Sequence, residues 1–259
     1  MLHLGFESAL LKEYLNVNML IKDKLKATAI HLLLSSFLAL LCFMLVFFII
    51  YPSPLAQATG VSGLFLIMLG VDVVLGPALT FIVYKKNKKT LKIDLLVIVL
   101  IQLSALCYGV YSMYQGRPVW IAYTVDRFEL VRVNDIIGAN QKYPTPWLGT
   151  KYISVETRVK TAKQQLEMML EESQSGISPA QQPKYYRLFE LKKFEIENKS
   201  KSLELLKQFN DNYSVEKILK QNPKADAYFP LKANAVDMTV LINKEKGEVI
   251  KIVDLRPWK

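Results

Sequence analysis

The chain has 259 residues, enough for one or two domains, and it is 51% hydrophobic with a formal net charge of +10. High apolar content with high net charge is unusual for a single soluble globule. The two properties are in fact segregated, because long apolar runs precede residue 115 and mixed charges follow it.

Three apolar stretches, residues 29–51, 61–84 and 95–114, carry no formal charge except Asp72 in the second. A helix rises about 1.5 Å per residue, so each stretch covers a hydrocarbon core of about 30 Å. The sequence predicts a basic cytoplasmic leader (1–28), a domain of three transmembrane helices (29–116) and a C-terminal domain (117–259). The motif "LAQA" (55–58) resembles a signal-peptidase site, but the apolar run before it is too long for a signal peptide, so we expect the first span to be retained.

Lysines indicate how these helices are oriented. They lie before the first span and between the second and third spans, whereas the loop between the first two spans, "PSPLAQATG", carries no charge. Basic residues stay on the cytoplasmic side of a membrane. We therefore expect a multi-pass inner-membrane protein with a cytoplasmic N-terminus and a periplasmic C-terminal domain. The lysines are Lys12, Lys22, Lys24, Lys26, Lys85, Lys86, Lys88, Lys89 and Lys92.

The predicted periplasmic domain begins with β-branched and aromatic residues over 118–133, typical of a hairpin. Helical spacing follows over 155–173, ended by Gly176, and two further helical pieces are predicted over 183–194 and 200–210. The residues predicted to share one side of the first of these helices are Val159, Leu166, Met169 and Leu170.

The end of the chain repeats the hairpin pattern. Ser214 is the predicted N-cap of a last helix that Pro223 closes. Two strands then surround a turn that contains Gly247. The sequence thus predicts a small α+β domain, with an antiparallel sheet built from both of its chain ends and helices between them.

Few residues are candidates for catalysis or metal binding. Both histidines, His3 and His31, lie in the leader or the first span, and both cysteines, Cys42 and Cys107, lie inside spans. The predicted periplasmic domain therefore lacks the usual zinc ligands and any histidine-based triad. Its basic residues are mixed with acidic ones, which does not indicate nucleic-acid binding. We expect no catalytic residue, no cofactor, no metal and no nucleic-acid partner, and therefore no enzyme.

The second span carries the most informative residues. Asp72 is costly at bilayer depth and requires a partner or a function. Gly70 and Gly76 permit close backbone approach, and Pro77 should free the Val73 carbonyl and bend the helix. One interpretation is internal: Gln102, Ser104 or Tyr108 of the third span lie at a similar depth and could bond Asp72.

Several stretches resemble the type IV pilin accessory proteins of the TfpX/TfpZ kind. The likeness runs from about Met19 to Lys259, is densest over Tyr51 to Ile136, and rests on "YPSPLAQATG", "LIMLGVDVVLGPALTFIVY", "KKTLKIDLLVIVLIQLSALCYGVYSMYQGRPVW", "DRFELVRVNDI" and "MTVLINKEKGEVIKIVDLRPW". The resemblance implies an inner-membrane protein of Gram-negative bacteria that acts in pilus assembly, with a major pilin as its partner. Other pilus assembly proteins and membrane lipid are further expected partners.

Two function classes stay open. A pilin also crosses the membrane through an apolar helix, so Asp72 and its small neighbours could face a pilin instead of the protein's own helices. The first function is a non-enzymatic accessory protein that assists or modulates the assembly of a cognate pilin. The alternative is a membrane-anchored periplasmic sensor or ligand-binding protein, which would need a cytoplasmic output larger than the short inner segments predicted here.

Overall fold

The structure, a computed structural model, describes residues 2–138, 142–157, 161–190 and 193–259. It consists of two compact units. The helical unit comprises the residues up to Leu45 together with Ser62–Ser112, and the C-terminal unit comprises Val46–Val61 together with Met113–Lys259. These units differ from the predicted domain ranges because residues 46–61, predicted to belong with the spans, group with the C-terminal residues.

Long helices form the first unit. Three segments of the chain are long and apolar enough to cross a membrane, namely Val17–Ile50, Val61–Val83 and Leu91–Gln115. The three membrane-length helices predicted from the sequence are thereby confirmed, the first being longer at its N-terminal end. The α-helices up to residue 115 are α1 (Leu2–Met44), α2 (Leu55–Thr59), α3 (Val61–Leu69), α4 (Gly76–Val83) and α5 (Leu91–Gln115), with π-helical turns at Leu45–Ile50 and Gly70–Leu75. Of these, α2 belongs to the C-terminal unit.

A curled sheet of eight strands forms the centre of the C-terminal unit, in the order β4-β3-β1-β2-β6-β7-β8, with β5 also paired to β6. The strands are β1 (Pro118–Tyr123), β2 (Phe128–Arg132), β3 (Lys151–Val155), β4 (Tyr186–Arg187), β5 (Lys201–Ser202), β6 (Ala227–Lys232), β7 (Met238–Asn243) and β8 (Glu248–Val253).

The sheet is mixed, so the prediction of an antiparallel sheet is wrong in part. Both predicted hairpins form, β1 with β2 and β7 with β8, and Gly247 takes the left-handed conformation (φ +66°) in the second. However, β3 lies parallel to β1, and β6 lies parallel to β2. Long connections allow these parallel pairings, and local sequence patterns carry no signal for them.

The predicted helices of this unit are confirmed only in part. α6 (Ala162–Ser175) ends before Gly176, as predicted. Residues 183–194, predicted to be helical, instead form a 3₁₀ turn (Pro183–Tyr185), strand β4 and the start of α7 (Lys193–Lys199). Residues 200–210 form β5 and a 3₁₀ segment (Leu203–Gln208).

The spacing pattern predicted which residues of α6 share a side but not which side packs. Met168 is buried, whereas Leu166, Met169 and Leu170 are exposed. Val159 lies outside the described residues. The last helix, α8 (Asn212–Gln221), is capped by Asp211 and not by Ser214, because the Asp211 carboxylate accepts a hydrogen bond from the Ser214 N–H at 2.8 Å.

Apolar residues cover both faces of the sheet, which explains why β1, β6 and β7 are buried along almost their whole length. One face packs against Leu55 and Ala58 of α2 and against Ile196 of α7. The other is covered in two places by further clusters. The sheet residues of the first face are Ile121, Tyr123, Phe128, Leu130, Ala227, Phe229, Leu231, Met238, Val240 and Ile242.

The segment Val46–Val61 is thus a structural part of the C-terminal unit. The Ala58 carbonyl accepts hydrogen bonds from the backbone N–H groups of Ala235 (2.9 Å) and Val236 (3.3 Å). Gly60 takes a left-handed conformation (φ +74°), and a Cβ atom there would lie 2.9 Å from the Ala235 Cβ. The Tyr51 hydroxyl donates to the Met113 carbonyl at 2.7 Å.

Buried tyrosines make the stability of this unit sensitive to alkaline pH. Burial raises the pKa of Tyr152 from 10.0 to about 12, where its ring packs against Phe128 and Phe189. Between these two values the unfolded chain loses the phenolic proton first, so the free energy of unfolding should fall as the pH rises from 10 to 12. We expect Tyr152→Phe to lose less stability over this interval than the wild type in chemical unfolding experiments, and equal losses would contradict this cause.

Candidate functional site

The centre of the second span is a π-helical turn, Gly70–Leu75, in which the Gly76 N–H bonds the Val71 carbonyl five residues earlier. In that register the N–H of residue 77 would reach the Asp72 carbonyl, but Pro77 has no N–H. The Gln102 side chain donates from Nε2 to this carbonyl at 3.0 Å. The freed carbonyl that finds a partner is therefore that of Asp72, one residue before the predicted Val73.

Gly76 is the residue that allows this contact. A Cβ atom at Gly76 would lie only 1.9 Å from Gln102 Nε2, so no larger residue fits without displacing the glutamine. At Gly70, by contrast, an added Cβ would meet no atom within 4 Å. The two glycines, both predicted to permit close backbone approach, thus differ. Gly76 allows α4 and α5 to pack closely, whereas Gly70 faces open space.

A cavity of about 430 Å³ lies within the helical unit, between α1, the second span and α5. Its lining is mostly apolar, with polar side chains from all three spans. The polar lining residues are His31, Ser35, Asp72, Thr80 and Gln102, and the apolar ones are Ala27, Ile30, Leu34, Leu38, Ala39, Leu95, Val99, Leu103 and Leu106.

The Asp72 side chain lines this cavity and is only 7% exposed. Within the described part of the chain, neither of its carboxylate oxygens has a hydrogen-bond partner. Thr80, on the same helix, is bonded instead to His31, with 2.6 Å between Oγ1 and Nδ1. The site is therefore a mostly apolar cavity with a carboxylate that can still accept hydrogen bonds.

None of the three residues predicted as internal partners bonds the carboxylate. Gln102 bonds the backbone carbonyl of Asp72, and the Ser104 hydroxyl donates to the Leu100 carbonyl of its own helix at 2.8 Å. Tyr108 is 72% exposed. Sequence reasoning did not place His31, Ser35 and Thr80 at the site, and no local pattern could have shown that they share a cavity with Asp72.

Basic residues of the predicted cytoplasmic segments pair with acidic residues of the helical unit. Lys86 Nζ lies 2.8 Å from the Asp23 carboxylate, and Lys88 Nζ lies 2.7 Å from the Asp94 carboxylate. Lys24 lies over the Phe81 ring, with 5.3 Å between Nζ and the ring centroid. The contacts of Lys86 and Lys24 join the end of the second span to α1, and the contact of Lys88 places Asp94 of α5 in an ion pair outside the cavity lining.

The C-terminal unit contains a second, more polar cleft of about 330 Å³ beside the ends of β1, β3 and β4. Within it Arg187 Nε donates to Glu156 Oε2 at 3.0 Å. A ligand-binding periplasmic domain, the alternative function predicted from the sequence, would use a cleft of this kind. In the described ranges no group of three or more histidine, cysteine, aspartate or glutamate side chains could hold a metal ion.

Comparison with known proteins gives matches among fimbrial assembly proteins. The family model for fimbrial assembly protein FimB matches residues 20–60. A fimbrial assembly protein of Dichelobacter nodosus serogroup I is 36% identical over 166 residues, which cover 61% of this chain and 64% of that protein. Two others from the same organism, of serogroup E1 and of serogroups C1 and C2, are each 40% identical over 114 residues, or 43% of this chain.

The share of each relative's length that matches this chain differs widely. The chain spans 64% of the serogroup I protein and 44% of the serogroup E1 protein, less than two thirds of each, but 87% of the protein of serogroups C1 and C2. No solved structure matches the chain. The similarity confirms the resemblance to type IV pilin accessory proteins, and the chain belongs to the family of fimbrial assembly proteins.

Proposed function

We propose that this protein is a non-enzymatic inner-membrane accessory protein that assists the assembly of a cognate major pilin. Its membership of the fimbrial assembly family supports a role in fimbrial biogenesis. Three membrane-length helices and the lysine asymmetry support an orientation with a cytoplasmic N-terminus and a periplasmic C-terminal unit.

The observation that carries this proposal is the Asp72 carboxylate in the intramembrane cavity. A buried polar group without a hydrogen bond costs about 1–3 kcal/mol, and more when it is charged. A partner that donates a hydrogen bond to Asp72 removes that cost, which gives the partner a direct gain in binding free energy. The internal interpretation of Asp72 is less well supported, because Gln102 bonds its backbone and not its side chain.

The size of the cavity limits how a partner can enter it. A helix with its side chains is about 10–12 Å wide, so a chamber of about 430 Å³ accepts a few side chains and not a whole helix. In our proposal a pilin helix lies alongside the spans in the lipid and inserts apolar side chains, with one donor reaching Asp72. Packing and polar contacts are the interactions that drive helix association in lipid.

Two polar side chains of the cavity bond each other and not Asp72. Thr80 and His31 resemble a nucleophile and base pair, since their Oγ1 and Nδ1 atoms lie 2.6 Å apart. Such a pair needs a third group that orients the base. The Asp72 oxygens have no hydrogen-bond partner within the described residues, so they do not orient His31.

Substitution of Asp72 tests the proposal. Asp72→Asn keeps the side-chain shape and the backbone carbonyl that Gln102 bonds, so the amount of protein in the membrane should stay normal. It replaces one acceptor oxygen by a donor, so surface pili should be fewer when they are counted by electron microscopy.

Ser104→Ala is the control, because the Ser104 hydroxyl bonds the backbone of its own helix, and this substitution should leave pili unchanged. Normal piliation in Asp72→Asn at normal protein level would contradict the proposed contact with a pilin.

A further inference from the structure

The loop that follows the first hairpin is fixed to the end of α5. The Tyr114 hydroxyl donates to the Trp147 carbonyl at 3.1 Å, and Arg117 Nη2 donates to the Pro146 carbonyl at 3.0 Å. Arg117 itself is buried, with its guanidinium 3.8 Å from the centre of the Tyr114 ring. Two independent hydrogen bonds therefore hold the backbone of the loop beside the last turn of this helix.

The tip of this loop exposes large apolar side chains. Trp147 is 76% exposed, and Leu148 beside it is also exposed. Elsewhere in the unit Trp120 is buried and the Trp258 indole donates to Asp237 at 2.7 Å. Gly149 takes a left-handed conformation (φ +70°), which ends the tip in a tight turn.

The depth of the tip follows from its attachment. α5 (Leu91–Gln115) is one of the three membrane-length helices, and Tyr114 lies in its last turn. A helix that crosses the bilayer ends in the interfacial region, where tryptophan and tyrosine are enriched because their rings are amphipathic. A backbone carbonyl hydrogen-bonded to Tyr114 must lie at nearly the same depth.

We propose that Trp147 and Leu148 insert into the interfacial region of the outer leaflet and anchor the C-terminal unit to the lipid surface. The ligand of this site is the lipid itself, with the indole ring among the headgroups and the leucine side chain directed to the upper acyl chains. The inference rests on the proposed function in one respect, namely that α5 crosses the membrane and the C-terminal unit lies outside the cytoplasm.

Quenching of tryptophan fluorescence by brominated lipid tests this anchor. The full chain is reconstituted in phosphatidylcholine vesicles whose acyl chains are brominated either near the carbonyl end or near the terminal methyl. We expect the wild type to lose more fluorescence than Trp147→Phe, with the larger loss from bromine near the carbonyl end. The signal that distinguishes the two proteins comes from Trp147 alone, so the other tryptophans need no substitution.

A second variant controls for general access of lipid to the domain. Leu188 is 82% exposed and follows β4, which pairs with Ser154 and Val155 at the far end of β3. Leu188 also lines the cleft beside Tyr123 at the end of β1, whereas α5 leads into the start of that strand at Pro118, about 17 Å away at roughly 3.3 Å per residue. Leu188→Trp in the Trp147→Phe background should add fluorescence that brominated lipid does not quench.

Alkaline carbonate extraction of the same vesicles separates the possible failures. Protein that is extracted would contradict the spanning helices and the anchor together. Protein that resists extraction, with equal quenching in the wild type and Trp147→Phe, would overturn the anchor and leave the proposed function intact.

Discussion

Leu55→Ala is expected to lower the free energy of unfolding of the C-terminal unit by about 2–5 kcal/mol, the usual cost of emptying a well-packed leucine site. Leu55 belongs to the loop between the first two spans, far from the C-terminal residues in sequence, and yet it is only 5% exposed within their main core. The loss combines the transfer free energy of the side chain with the cavity that remains against the sheet. Chemical unfolding of the purified full chain, followed by tryptophan fluorescence, measures it.

Leu188→Ala provides the matched control, because the same chemical change at an exposed position should alter stability by no more than about 0.5 kcal/mol. Equal unfolding midpoints for Leu55→Ala and the wild type would show that the loop does not pack into this core. A fragment that begins at Arg117 would lack Leu55 and Ala58, so we expect it to be less stable than the unit within the full chain.

Gly76→Ala is expected to destabilise the helical unit by about 1–3 kcal/mol, the usual cost of overpacking. The added methyl group would overlap the Gln102 side chain and break its hydrogen bond to the Asp72 carbonyl. The loss should appear as a lower midpoint of unfolding in detergent and a lower amount of protein in the membrane. Gly70→Ala is the control, since the added methyl group would meet no atom within 4 Å.

A double-mutant cycle identifies the cause of this loss. In the Gln102→Ala background the colliding atoms are absent, so Gly76→Ala should cost much less than it does in the wild type. Additive effects of the two substitutions would mean that Gly76 and Gln102 do not contact each other.

The sequence predicted those parts of the structure that local patterns govern. Uninterrupted apolar length predicted the three spans, and β-branched and aromatic residues around short turns predicted both hairpins. The sequence analysis did not predict strand β6, because Pro230 interrupts its pattern. In the structure Pro230 lies between Ala227 and Tyr228, which pair with β5, and Leu231 and Lys232, which pair with β2. The parallel pairings were missed because they join segments that are distant along the chain.

The candidate site shows the same limit. Asp72 was identified because its cost in a membrane can be judged from one residue and its surroundings in the sequence. The function of Gly76 could not be predicted in the same way, because it depends on which residue of α5 lies opposite. The docking of α2 also depends on long-range packing, which places a short uncharged loop on a sheet formed by much later residues.

The most direct test of a pilin contact at the cavity is photocrosslinking in living cells that carry the host's pilin. A photoreactive amino acid at Leu103, which lines the cavity, is compared with the same group at Ile82, which is exposed and does not line it. We predict a covalent adduct with the major pilin from position 103, little or none from position 82, and loss of the adduct in Asp72→Asn. No pilin adduct from position 103, or equal adducts from both positions, would contradict the proposal that the cavity receives side chains of a pilin helix.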